Sequence, residues 1–110
     1  MDRSSTSMGI CNTQLLLFNG KNYDYWAITM IVLLASQDLW EFVEDGFEEL
    51  ADEDEFNKLT QVEKDLLKSY KKKDSEALLF LYKAVHESVF PRIAAAKTSK
   101  EPWKMLNIAY

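Results

Sequence analysis

The chain is 110 residues long, enough to bury one core and too short for a second. Its apolar share of 47% is too high for a disordered tail, and three Gly and two Pro are too few for a turn-rich β fold, so an all-α domain is expected. The formal net charge is −5, but residues 1–57 hold two basic and twelve acidic side chains, a net of −10, while residues 58–110 hold eleven and six, a net of +5. An acidic total argues against a protein whose main work is gripping phosphate. The polarity along the chain suits either head-to-tail contact between unlike halves of neighbouring copies or simply a solvated surface.

Residues 1–13 are small, polar and unpatterned, which predicts a flexible leader ahead of one helical domain over residues 14–110. The first apolar block, "LLLF", is too short for a signal-peptide core. The nearly apolar run Ala27 to Ala35 would cross about half a bilayer as helix, so no membrane span is expected. If translation began at Met8, "MGICNT" would match a myristoylation pattern at Gly9, with Cys11 as a second acyl site; initiation at Met1 hides that glycine. One Cys and one His exclude an internal disulfide and a zinc knuckle, and a cytosolic or nuclear setting is expected.

"TQLLLFNG" reads as an extended arm whose leucines dock on the body before Asn19-Gly20 turns the chain. The first helix should begin near Asn22 or Asp24, as capping residues, and run to about Ala35. Trp26, Met30, Leu33 and Leu34 share one face at helical spacing, and Ile28, Ile31 and Val32 fill the rest. Such a helix is either central or covered by a partner. In "FNGKNYDYW", Tyr23 and Tyr25 are the aromatics left to point outward.

Ser36 or Asp38 can cap a short second helix with Leu39, Trp40 and Val43 inside, ended by Gly46 in a left-handed conformation. "EELADEDEF" is too densely acidic to pack and reads as a solvated loop. "TQVE", Thr60 to Glu63, is a capping box that opens a helix. Leu59, Val62, Leu66 and Tyr70 mark its inner stripe, while Lys64, Lys68, Lys71 and Lys72 face water. Ala77, Leu78, Leu81, Ala84 and Val85 continue the period. At "KKKD", Asp74 is either a new cap or an exposed residue, and one interrupted helix is the preferred reading. Pro91 ends it, "RIAAAKTSK" makes a short connector, and a last helix capped at Ser99 puts Pro102 in its first turn, where a missing N–H costs nothing. Trp103, Leu106 and Tyr110 should face inward.

Chemistry is thinly provided for. His86 reads as an exposed or half-buried helical residue, and Cys11 is remote from it in sequence. The acidic cluster from Glu41 to Glu55 lacks the alternating ligands and turn glycine of a calcium loop. The glycines are isolated, so no phosphate-cradling loop exists. Catalysis, cofactors and metals are not expected. "KSYKKKD" puts Lys68, Lys71, Lys72 and Lys73 around Tyr70; the stretch is either a solvated face or an RNA contact.

Four segments, "FNGKNYDYWAITM", "SQDLWEFVEDGF", "KKKDSEALLFLYKAV" and "VFPRIAAAKTSKEPW", in this order and spacing, resemble the N-terminal Gag region of plant Copia-type LTR retrotransposons over about Leu17 to Tyr110. The family's Asn-Tyr-x-x-Trp falls on Asn22, Tyr23 and Trp26, and its Gln-Asp-Leu-Trp on Gln37, Asp38, Leu39 and Trp40. Its Phe-Pro-Arg-Ile is Phe90, Pro91, Arg92 and Ile93, and the tryptophan of Lys-Glu-x-Trp is Trp103. The resemblance implies a small helical bundle of about four to five helices, like a retroviral or retrotransposon capsid N-terminal domain. It also implies self-assembly into a shell around the element's RNA, a cytoplasmic virus-like-particle setting, and no catalysis in this segment. A full Gag of that family would continue beyond residue 110 into the rest of the capsid region and a zinc knuckle.

Two departures stand out. The family places polar residues at Ile31 and Val32, which makes these two a candidate assembly surface, and an alanine at Pro102. The leading expectation is a structural Gag-derived module, truncated or domesticated, that associates with itself or with other Gag-type protein. Trp26, Trp40, Leu81 and Trp103 are expected as its fold anchors. The alternatives are a small RNA-binding protein using the Lys64 to Lys73 stretch and a monomeric helical adaptor.

Overall fold

The protein is seen in a computed structural model that describes residues 17–47 and 52–110. The proposed leader with Gly9 and Cys11, Leu15, Leu16 and residues 48–51 of the acidic stretch lie outside the described residues. In chain order come α1 (Tyr23–Ser36), α2 (Trp40–Glu44), α3 (Glu53–Asn57), α4 (Gln61–Lys83), a 3-10 turn at Phe90–Arg92 and α5 (Lys100–Ala109). They form a slab with extents of 45 × 40 × 19 Å. Helices with their side chains are about 10–12 Å across, so the slab is two helices thick.

α1 starts where expected but by another device. Asn22 sits in the left-handed region at φ 57°, and its side chain makes no capping bond. Asparagine tolerates this conformation better than most residues, and the Asn22 carbonyl accepts the first helical bond from the Trp26 N–H at 3.2 Å. The other end is a Schellman motif. Asp38 takes φ 60°, its N–H bonds to the Ala35 carbonyl at 3.1 Å, and the Leu39 N–H reaches back to the Leu34 carbonyl at 2.8 Å. The hydrophobic contact that accompanies such motifs is Leu34 against Leu39, both buried. Neither Ser36 nor Asp38 caps α2, whose N-cap is Leu39 without a side-chain bond; the backbone of Asp38 is spent on ending α1.

The five-residue α2 lies against α1, α4 and α5, and contributes Phe42 and Val43 to the interior. Gly46 ends it at φ 75°, with its N–H on the Phe42 carbonyl at 3.0 Å. Lys100 of α5 donates from Nζ to the Asp45 carbonyl at 3.2 Å, placing a cation at the negative end of α2. The acidic stretch is not a loop throughout. Asp52 accepts from the Asp54 N–H at 2.9 Å and starts α3, because carboxylates in a first turn are favoured by the free N–H groups there.

The capping box of α4 forms as read: Glu63 N–H donates to Thr60 Oγ1 at 3.1 Å, and Thr60 N–H to Glu63 Oε1 at 2.8 Å. The helix then runs for 23 residues without a break at "KKKD". Asp74 is neither a cap of α4 nor exposed. It is 4% exposed and accepts from the Ser99 N–H and hydroxyl at the start of α5, so it tethers the middle of α4 to the last helix. The expected inner stripe is corrected for its first half: Val62, Leu66 and Tyr70 are 76%, 48% and 37% exposed. At 23 residues α4 outruns its neighbours, α1 at 14 and α5 at 10, and among the described residues its N-terminal half is little covered beyond the Phe42 ring against Tyr70. The buried half is Ala77 and Leu81, followed past the helix end by Ala84 and Val85.

Within the described part of the arm, Phe18 makes the anchoring contact. Leu17 is 43% exposed, whereas Phe18 is 1% exposed and pairs with Val85 in an isolated parallel bridge. Its N–H donates to the Ala84 carbonyl and its carbonyl accepts from the His86 N–H, both at 2.9 Å. In α5, Pro102 occupies the first turn, buried, without forfeiting a bond. Ser99 is the N-cap by position, though its hydroxyl serves Asp74 rather than the helix. Val89, Ile93 and Leu106 complete the core with Met30, Leu34, Leu39 and Val43.

Candidate association surface

The aromatic residues form a continuous internal line. Phe18 stacks on Trp26 at 5.0 Å between centroids, Trp26 on Trp103 at 5.7 Å, and Trp103 meets the edge of Trp40 at 5.2 Å. Tyr23 and Tyr110 pack edge-on against Phe18. Of the four proposed anchors, Trp26 and Leu81 are fully buried, and Trp40 and Trp103 are partly buried against the core. Tyr23 is half-buried against this line, and its hydroxyl donates to Asn107 Oδ1 at 3.4 Å at the surface. Burial, with Asp24 nearby, raises its pKa above the ordinary value of 10.0. Tyr110 is 41% exposed although its ring touches Phe18. Among the described residues these rings pack on one another.

The surface is more telling. Tyr25, Ile28 and Val32 of α1 are 63%, 64% and 64% exposed, and Ala35 beyond them is exposed as well. At 100° per residue these four form one stripe, opposite the buried Trp26, Met30 and Leu34. Of the two residues singled out from sequence, Val32 lies in the stripe and Ile31 is half-buried at its border. Tyr25, Ile28 and Ala35 were missed as a set, although their spacing of three, four and three with Val32 is itself legible.

The lysines divide. Lys68 and Lys71 lie with Lys64 on one face of α4 and, together with Phe56 and Leu67, line a surface cavity of about 360 Å³. Lys64 Nζ sits 5.2 Å from the centre of the Phe56 ring. Lys72 is exposed on the flank of this face; Lys73 is half-buried and turned about 140° from Lys68, because five helical steps of 100° carry it to the other side. His86 is exposed just past α4, its Nδ1 accepting from the Ser88 N–H at 3.0 Å. Among the described residues no three His, Cys, Asp or Glu side chains group to hold a metal, and no helix is long and apolar enough to cross a membrane.

Among the described residues, then, the slab has an apolar core and an exposed apolar stripe on the outer face of α1. The family model for the gag-polypeptide of LTR copia-type matches residues 30–110. The chain belongs to this family. The Gag match starts at Met30, so the Asn22 to Trp26 signature lies ahead of it, while the Gln37 to Trp40, Phe90 to Ile93 and Trp103 signatures lie within it. No curated protein and no solved structure matches the chain. Copia-type Gag is a structural, non-catalytic component of its polyprotein, and that structural role carries over to this member.

Proposed function

We propose that this Gag chain works by associating with further copies of itself through the outer face of α1, as a building unit of a cytoplasmic, capsid-like particle. Whether it acts within an element's polyprotein or as a domesticated copy, the same surface is used. The observation that carries the reading is the exposed stripe of Tyr25, Ile28 and Val32 on a helix whose opposite face is fully committed to the core. Apolar area left open on a two-layer slab is stabilised by covering it, at about 25 cal/mol per Å² removed from water. Light scattering over a concentration series tests this: the apparent mass should rise with concentration. A strict monomer throughout would contradict it and favour a helical adaptor.

A second reading rests on the cavity beside Lys64, Lys68 and Lys71. Cations beside an exposed Phe56 suit a single-stranded nucleic acid, with phosphates on the lysines and a base against the ring. Titration with single-stranded RNA at two salt concentrations tests it. Binding that weakens steeply with salt supports this contact, and salt-independent or absent binding rejects it.

A further inference from the structure

We infer, resting on self-association through α1, that two chains pair their α1 helices antiparallel about a two-fold axis beside residue 30. The exposed stripe Tyr25, Ile28, Val32 and Ala35 reads three, four, three in either direction. An antiparallel pair centred on residue 30 sets Ile28 against the partner's Val32, two β-branched side chains of similar size. It also sets Tyr25, the largest residue of the stripe, over the partner's Ala35, the smallest. A parallel pair would stack Tyr25 on itself at one end and leave facing alanines at the other, which packs poorly because interiors tolerate neither crowding nor voids. The three-four spacing is that of side chains interlocking between two helices about 8–10 Å apart.

Charge agrees with this arrangement. The stripe carries no ionisable side chain except the tyrosine hydroxyl, and the only charged residue of α1, Asp24, is turned about 100° from Tyr25. Lys21 is the one basic residue among residues 17–47 and precedes α1. Antiparallel pairing brings it to the negative end of the partner's helix, and the two helix dipoles oppose each other, each positive end lying beside the partner's negative end. Such an interface is isologous: one patch meets itself and closes into a dimer, so it supplies one contact of a particle and a second, different contact must join the dimers. Four side chains per chain fall short of the roughly 800 Å² per partner of a stable interface, so the pair is weak and forms with rising concentration.

Disulfide trapping reads the geometry. In a Cys11→Ser background, Tyr25→Cys and Ala35→Cys chains carrying different tags are mixed and gently oxidised. The expected product is the mixed 25-to-35 disulfide, in excess over either self-linked product. In the antiparallel pair, residue 25 of one chain and residue 25 of the other are about 15 Å apart along the axis, beyond the ~7 Å Cα limit of a disulfide. Self-linking of Tyr25→Cys at least as strong as mixed linking overturns the two-fold geometry. If light scattering still shows association while the mixed bond fails to form, only this geometry falls; if the unmodified protein never associates, the functional reading beneath it falls too.

Discussion

The carbonyl oxygen of Ala84 accepts two hydrogen bonds, from the indole Nε1 of Trp26 at 3.1 Å and from the backbone N–H of Phe18 at 2.9 Å. Ala84 is the C-cap of α4, where the last carbonyls have no partner within the helix. The arm and α1 supply both. Trp26→Phe keeps a ring in the aromatic line but loses one of these bonds, and denaturant titration should show a loss of about 1 to 2 kcal/mol. Trp26→Ala should cost about 3 to 5 kcal/mol. Hydrogen exchange separates the two donors: the Phe18 amide should stay protected in Trp26→Phe.

Asp74 should be sensitive in the same way at the other end of the core. Replacing it by Ala leaves the buried Ser99 N–H and hydroxyl without their acceptor, with an expected cost of about 2 to 3 kcal/mol for bonds made to a carboxylate. Ser99→Ala removes one of the donors and should cost less. A double-mutant cycle in urea should find the two changes coupled rather than additive.

The two left-handed termini predict opposite responses. Asp38, at φ 60°, carries a Cβ where glycine is favoured, so Asp38→Gly should raise stability by about 0.5 to 1 kcal/mol in thermal unfolding. Gly46→Ala should lower it by about 1 to 2 kcal/mol. Its φ is +75°, and an added Cβ would lie 3.1 Å from Lys100 Cδ, the side chain that reaches the end of α2.

Stability should also fall at alkaline pH through Tyr23. Its folded pKa is raised above 10.0, first by burial and then by Asp24, so the folded state holds the phenolic proton longer than the unfolded chain does. That contribution is fully present below about pH 10 and is lost as pH rises through the folded value. Tyr23→Phe should flatten this part of a stability profile measured by denaturant titration between pH 8 and 11.

Features written into neighbouring residues were legible in the sequence, and those set across the fold were not. The Thr60 to Glu63 box, the left-handed Gly46, Pro102 in a first turn and the inner face of α1 depend on residues within one or two turns. Asp74 looked like any charged helical residue because its partner, Ser99, is 25 positions away. Phe18 was passed over for the leucines because its slot is made by Ala84 and His86. On α4, apolar spacing continued through Val62 and Leu66, which no described element covers. The exposed stripe of α1 failed to stand out for a related reason: α1 is apolar on both sides, and periodicity alone does not separate the face that builds the core from the exposed one.

Sedimentation equilibrium of the unmodified protein beside the double variant Ile28→Lys, Val32→Lys tests self-association through α1 most directly. Both positions are 64% exposed, so the variant should melt within about 0.5 kcal/mol of the parent. The parent's average mass should climb with concentration while the variant stays monomeric, since two cations per chain cannot be buried against their own copies. Equal association of the two proteins, or a parent that remains monomeric, would contradict the account.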